Sequence, residues 1–285
     1  MKTEIFNFFR SVFKISLLES LVRGLVAGKN PNAFLSKLVP NNYQYPVGSI
    51  REFEYNGIRL RLDIHDYLPH YFYFGFKDPS HENLMSLVNQ GDVVLDIGTN
   101  YGTTILQFAK LVGAEGVTYG FEPDPVNFAI CESNLKLNDF SNIYVENVGL
   151  GSKNGKVRLV VDTESNRGGN RIGLATHGKE SYEVDICVLD EWVIANDLSK
   201  IDLVKIDVEG YEMEVLAGAS EVLTRYHPIL FVELDDNNLR QQNSSAAELV
   251  RFLEKLEYAP TNSETGKEIF ASDDFSNCHF DIVCK

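Results

Sequence analysis

From residue 93 onward, short apolar runs alternate with stretches of helical period. Residues 93–97 read as a buried strand, and residues 103–111 as a helix with Ile105, Phe108, Ala109 and Val112 on one face. Residues 117–122 give the next strand, and residues 125–138 a helix turning Phe128, Cys131 and Leu135 inward. Strands follow at 142–148, 157–161 and 184–188, and a helix starts at Leu189. Residues 201–207 are another buried strand, 211–226 one helix with Leu216, Ala219 and Leu223 inward, and 227–233 a further strand. Ser245 and Glu248 form a capping box ahead of Leu249, Phe252, Leu253 and Leu256. Residues 269–270 and 279–284 supply the last strands. Strand and helix in alternation predict an α/β fold, Rossmann-like, with a mainly parallel sheet and helices on both faces.

The first part of the chain is patterned differently. Phe6, Phe9, Phe13, Leu17, Leu21 and Leu25 recur at helical spacing, among more basic than acidic residues. Two readings fit residues 1–28: helices packing on the domain or on a second subunit in a homodimer, or a helix lying on a membrane surface. Residues 30–48, rich in Asn, Pro and Gly, read as a linker. This divides the chain into an N-terminal helical segment, 1–48, and one domain, 49–285. Alternation on either side of Asn56-Gly57 predicts a β-hairpin. The aromatic stretch from Tyr67 to Phe76 suits core or lid packing better than stacking on a ligand, and residues 79–88 read as a helix.

The chain has 285 residues, 44% of them hydrophobic, and a formal net charge of -15. That size suits one large domain with a full core, and the charge with no long basic run disfavours nucleic acid as a partner. None of the four cysteines forms a C-x-x-C pair, so reduced thiols in a cytoplasmic protein are expected, with no zinc site. No apolar run is long enough to span a bilayer, and no export signal is expected. The location expected is therefore the cytoplasm, at the inner face of the membrane if residues 1–28 dock there.

The chemistry gathers where strands end. Asp96-Ile97-Gly98-Thr99-Asn100-Tyr101-Gly102 has the spacing Asp-x-Gly-x-x-x-Gly, not the Gly-x-Gly-x-x-Gly of dinucleotide enzymes. A strand, a glycine turn and a helix N-terminus let backbone approach a ligand closely. An acid ending the strand suits a cationic ligand such as the ammonium of S-adenosylmethionine. Glu122, ending the next strand, can accept the two hydroxyls of a ribose. Asp207 ends the strand at 201–207 and Glu209 follows it, so both should face the crevice shared with Asp96. Asp207 or Glu209 is expected to act as general base or to orient an acceptor, with His177 in the Gly-, Asn- and Ser-rich loop 162–180 as the next candidate. The acids could alternatively hold Mg²⁺, but no metal is assigned.

Three stretches carry a resemblance to a known family: residues 94–102, residues 120–125 (Gly-Phe-Glu-Pro-Asp-Pro), and above all residues 202–212 (Asp-Leu-Val-Lys-Ile-Asp-Val-Glu-Gly-Tyr-Glu). With residues 134–138 and Leu189-Asp190, they resemble the FkbM family of Rossmann-like, S-adenosylmethionine-dependent methyltransferases over about residues 50–235. Thr99 stands where the family usually has Ala. The resemblance implies O-methylation of a hydroxyl on a sugar, glycan or small metabolite, as in polysaccharide biosynthesis. It implies that Asp96, Gly98, Thr99, Asn100, Gly102, Thr103, Glu122, Pro123 and Asn147 bind the donor. The rival classes are an NAD-dependent sugar oxidoreductase, which lacks its phosphate-cradling motif here, a non-catalytic binding protein of the same fold, and a protein or nucleic-acid methyltransferase, which would carry an acceptor groove with basic residues.

Overall fold

A computed structural model describes residues 10–163, 166–173 and 180–285. The chain divides into two compact units, residues 1–79 with 163–168, and residues 80–162 with 169–285.

In the first unit, helix α1 (Ser16–Val26) precedes the hairpin of β1 (Ile50–Tyr55) and β2 (Ile58–Asp63), which pair antiparallel from Tyr55↔Ile58 outward. Asn56 and Gly57 make the turn with φ of 50° and 75°, the left-handed pair a two-residue hairpin turn needs. The aromatic stretch forms helix α2 (Tyr67–Phe74), capped by the Asp66 carboxylate at Leu68 N–H and ended by Gly75 at φ 65°. Phe72, Tyr73 and Phe74 are buried.

The boundary expected after residue 48 separated the hairpin from the N-terminal helix, and the structure joins them. Glu19 of α1, 2% exposed, accepts from Arg51 Nε and from Tyr73 Oη, both at 2.8 Å. Arg23 donates to the carbonyls of Tyr73 (2.7 Å) and Glu54 (3.1 Å). A buried carboxylate loses much if either partner leaves, so these contacts tie α1, hairpin and α2 into one body. Helix α1 buries Glu19, Val22 and Val26, whereas Leu17, Leu21 and Leu25, expected as an apolar packing stripe, are exposed.

The second unit opens at Ser80, in helix α3 (Pro79–Ser86). Its sheet holds β3 (Val93–Ile97), β4 (Val117–Phe121), β5 (Ile143–Glu146), β10 (Leu203–Ile206), β11 (Ile229–Asp235), β12 (Pro260–Asn262) and β13 (His279–Cys284), in the order β12-β13-β11-β10-β3-β4-β5. β11, β10, β3, β4 and β5 run parallel; β13 pairs antiparallel with β11 and β12. Alternate residues of β3 serve opposite faces. Leu95 and Ile97 pack with Val204, Val232, Leu216 and Leu249, while Val94 packs with Phe108, Val112 and Leu84. Both faces are thus covered, as the buried apolar strands require.

Helices α4 (Thr103–Val112), α5 (Pro125–Leu135) and α6 (Leu189–Ala195) stand close to their expected ranges. Helix α5, however, buries Asn127, Cys131 and Asn134 instead of Phe128 and Leu135. The strand expected at 142–148 ends at Glu146, and β6 (Gly149–Leu150) enters a small second sheet with β7 (Gly155–Val160), β8 (Arg171–Ile172) and β9 (Ser181–Cys187). The single helix expected over 211–226 is two, α7 (Glu212–Ala217) and α8 (Ser220–Tyr226). A Cβ on Gly218 between them would lie 2.1 Å from the Gly151 carbonyl, and Asp190 caps the second by accepting from Glu221 and Val222 N–H. Helices α9 (Asp236–Gln241) and α10 (Ala246–Lys255), the latter capped by Ser245, complete the unit. Among the described residues, no helix is long and apolar enough to cross a membrane.

Candidate functional site

The carboxyl ends of β4, β3, β10 and β11 lie side by side, and each carries an acid: Asp96 within β3, Glu122 just after β4, Asp207 just after β10 and Glu233 within β11. After β3 the backbone turns through three left-handed residues, Gly98 (φ 83°), Asn100 (φ 52°) and Gly102 (φ 83°), and enters α4 at Thr103. A Cβ on Gly98 would stand 1.9 Å from the Asp207 carbonyl oxygen, so only glycine lets the β3 and β10 turns touch. A Cβ on Gly102 would meet Cys131 Sγ at 2.7 Å. Asn is the residue that best tolerates the left-handed region after glycine, which fits Asn100.

Glu122 holds this turn in place. Its Oε2 accepts from Asn100 N–H at 2.7 Å and its Oε1 from Asp124 N–H at 2.8 Å. Gly98 and Thr99 N–H both donate to the Phe121 carbonyl, Thr99 Oγ1 donates to the Asp96 carbonyl, and Asn147 Nδ2 donates to the carbonyls of Glu122 and Pro123. Burial pushes the Glu122 carboxyl up to about 8, against the pull of the two N–H groups. The expected donor-binding residues from Asp96 to Thr103, with Glu122, Pro123 and Asn147, therefore form one connected rim. Asn100 Oδ1 and Thr103 Oγ1 are buried there with no hydrogen-bond partner among the described residues.

Asp96 and Asp207 flank a cation the sequence reasoning had not singled out. Lys205 pairs with Asp96 in the parallel register of β10 and β3. Its Nζ donates to the Gly98 carbonyl at 3.0 Å and lies 3.4 Å from Asp96 Oδ1 and 3.3 Å from Asp207 Oδ2. Asp96 is 0% exposed and the Lys205 side chain 7%. Burial raises the Asp96 carboxyl to about 6 although Lys205 pulls it down. Burial alone would lower Lys205, but Asp207 and Asp96 hold it above the ordinary lysine value. The expected match between Asp96 and an incoming ammonium is thus taken by an internal one, and the accessible charge of the pair of acids is that of Asp207, 47% exposed. A lysine inside the apolar run Leu203-Val204-Lys205-Ile206 was the available signal.

Beyond Asp207 the turn passes through Glu209 at φ 53° and Gly210 at φ 100°. Asn238 Nδ2 donates to Glu209 Oε2 at 3.0 Å, and Arg171 Nη2 lies 3.7 Å from the same oxygen. Glu212 Oε1 accepts from Val208 and Gly210 N–H. Burial first, then the charge of Asp207, lifts Glu209 to about 8. Glu233 of β11 is raised well above the ordinary carboxyl value by burial and by Asp207 and Glu209. The structure thus brings Asp207, Glu209 and Glu233 together; His177 lies outside the described residues.

The chain is 29% identical over 177 residues to the 2-O-methyltransferase NoeI of Sinorhizobium fredii, 56% of this chain and 70% of that one. It is 29% identical over 140 residues to the hexuronic acid methyltransferase AglP of Haloferax volcanii, 49% of this chain and 55% of that one. The crystal structure of methyltransferase FkbM from Methylobacillus flagellatus KT superposes with a TM-score of 0.45 at 14% identity, over 77% of this chain and 53% of that one. The methyltransferase FkbM domain matches residues 96–260, from the acid that ends β3 through every strand end of the rim. That match takes in more than half of the chain, which belongs to the FkbM methyltransferase family.

Proposed function

We propose that the protein moves the methyl group of S-adenosylmethionine to a hydroxyl of a sugar or glycan. The observation that carries this is the row of acids at the ends of β3, β4, β10 and β11, with Asn100 Oδ1 and Thr103 Oγ1 buried and unpartnered beside them. Such oxygens suit a ligand that brings an ammonium and ribose hydroxyls as donors. The relatives' names, a 2-O-methyltransferase and a hexuronic acid methyltransferase, support an oxygen acceptor of sugar type.

S-adenosylmethionine supplies a methyl already activated by its positive sulfur, so positioning provides much of the rate. Glu122, Asn100 and Thr103 hold the donor, and Asp207 and Glu209 orient the acceptor and receive its proton. A base works best when its pKa lies near the working pH, which the lifted Glu209 satisfies. The exposed Asp207 is the acid an acceptor reaches first.

A labelled-methyl transfer assay over nucleotide sugars and cell-envelope extracts tests the reading. Label should enter a hydroxyl of a sugar-containing acceptor, and Asp207→Asn should abolish turnover while S-adenosylhomocysteine still binds. Full turnover in that variant removes the role given to Asp207. Label found only on nitrogen, or only in protein or nucleic acid, removes the sugar.

A further inference from the structure

The carboxylates of Asp207, Glu209 and Glu233 converge. One oxygen of each lies within 4.8 Å of those of the other two. Oxygens bound to a common Mg²⁺ or Ca²⁺ stand about 2.0–2.6 Å from the ion, hence roughly 4–5 Å apart at most. The spacing is that of ligands around one ion.

Among the described residues, each cation beside this cluster is shared with a group outside it. Lys205 is shared between Asp207 and the buried Asp96. Arg171 divides itself between Glu209 and the Asn238 side chain. His279 Nδ1 stands 3.0 Å from Asp235 Oδ2 and 3.8 Å from Glu233 Oε1. Glu233 supplies an independent observation. Its side chain is 12% exposed, and its Oε2 is closed to solvent with no hydrogen-bond partner among the described residues. A buried carboxylate oxygen without a donor is expensive to keep. Apart from His279, 3.8 Å from its other oxygen, the charged groups that face Glu233 are acids, so a cation satisfies it where another hydrogen-bond acceptor would not. The loop is also built to hold its shape: a Cβ on Gly210 would lie 2.5 Å from the Asn238 carbonyl, and Asn238 fixes Glu209.

We propose that Asp207, Glu209 and Glu233 bind one divalent cation that prefers oxygen ligands, of the Mg²⁺, Mn²⁺ or Ca²⁺ class. The ion leaves positions open on the side of the exposed Asp207, where hydroxyls of the acceptor complete its shell. Only that last role rests on the methyl-transfer reading; binding of the ion does not.

Equilibrium dialysis of the full chain against MgCl₂, MnCl₂ or CaCl₂, without methyl donor, tests the site. One ion should bind per chain, and Glu233→Gln, which keeps the side chain's shape, should weaken it roughly tenfold or more. Glu209→Gln is the second variant, and circular dichroism establishes that each is folded. No saturable binding of any of the three ions at millimolar concentration overturns the site, as does unchanged affinity in a folded variant. Titration with S-adenosylhomocysteine is run alongside. A chain that binds the ion but not that ligand loses the methyl-transfer reading and keeps the cation site.

Leu17, Leu21 and Leu25, one turn apart, are 81%, 58% and 45% exposed, and Ile15 and Phe34 are 60% and 82% exposed. Residues 1–48 carry Lys2, Arg10, Lys14, Arg23, Lys29 and Lys37 against Glu4 and Glu19, in a chain of net charge -15. An apolar stripe that no described residue covers, in a segment with an excess of basic residues, is complementary to an anionic bilayer, and we infer that this face docks on one. The full chain should float with vesicles of phosphatidylglycerol and phosphatidylcholine, and a Leu17→Glu, Leu21→Glu, Leu25→Glu variant that still binds S-adenosylhomocysteine should not. Absence of the full chain from the lipid fraction overturns this. So does a dimer in light scattering that the triple variant breaks, because the stripe then covers a second copy.

Discussion

Replacing Lys205 by Met tests the internal ion pair at the centre of the site. Lys205 Nζ is 3.4 Å from an Asp96 carboxylate that is 0% exposed and, among the described residues, has no hydrogen bond to either oxygen. Methionine fills a similar volume and takes the charge away, leaving a buried anion alone. Breaking a buried pair from one side costs about 3–5 kcal/mol. The loss should depend on pH. Asp96 is already lifted to about 6 with the ammonium beside it, and rises further without it. A carboxyl with a folded pKa above its unfolded one binds more protons in the fold, so it loses stability as pH rises through the folded value. Lys205→Met should therefore be close to wild type near pH 5 and lose several kcal/mol near pH 8. Adding Asp96→Asn removes the stranded charge, so the double variant should regain most of the loss at pH 8, a coupling well outside additivity. Urea unfolding at the two pH values, with unchanged m, measures both quantities. Lys205→Met within about 1 kcal/mol of wild type at pH 8, or a double variant as unstable as Lys205→Met, would refute the pairing.

Gly98→Ala forces a side chain into a left-handed position and against the Asp207 carbonyl; it should lose roughly 1–3 kcal/mol of stability, and an unchanged thermal melt contradicts the turn-to-turn contact. Glu122→Ala strands the Asn100 and Asp124 N–H groups and should weaken S-adenosylmethionine binding by roughly 1.5–3 kcal/mol, read by calorimetry; equal affinity removes Glu122 from the donor site. Glu122 and Glu209 are raised to about 8 and Glu212 to about 7, so the melting temperature should fall between pH 6.5 and 8. Buried His70, lowered to about 4 from 6.5, acts in the opposite sense but only below that window. A melting temperature that is flat or rising there sinks the assignment of raised carboxyls.

What the sequence made legible was what a few neighbouring residues decide among themselves. Asn56-Gly57 forms its hairpin turn because two left-handed residues in succession are required there and those two accept it. Gly98, Asn100 and Gly102 mark the β3 turn for the same reason, and the acids after the strands stand out against apolar runs. The helix expected over 211–226 divides in two because its break answers to Gly151 and Asp190, neither of them adjacent in sequence.

Where a choice depends on residues far along the chain, local pattern offers two equal answers. Helical period gives α1 two stripes, Leu17-Leu21-Leu25 and Glu19-Val22-Val26, and hydrophobicity favours the first. The structure buries the second, because Glu19 finds Arg51 and Tyr73. Asp96 had the same ambiguity: a strand-end acid can meet a ligand's cation or the protein's own. The register of β3 with β10 settles it for Lys205, more than a hundred residues on, and moves the accessible charge to Asp207. Glu233 completes the pattern. It becomes a neighbour of Asp207 only through the strand order β11-β10-β3, so its unpaired oxygen is a property of topology and not of any motif.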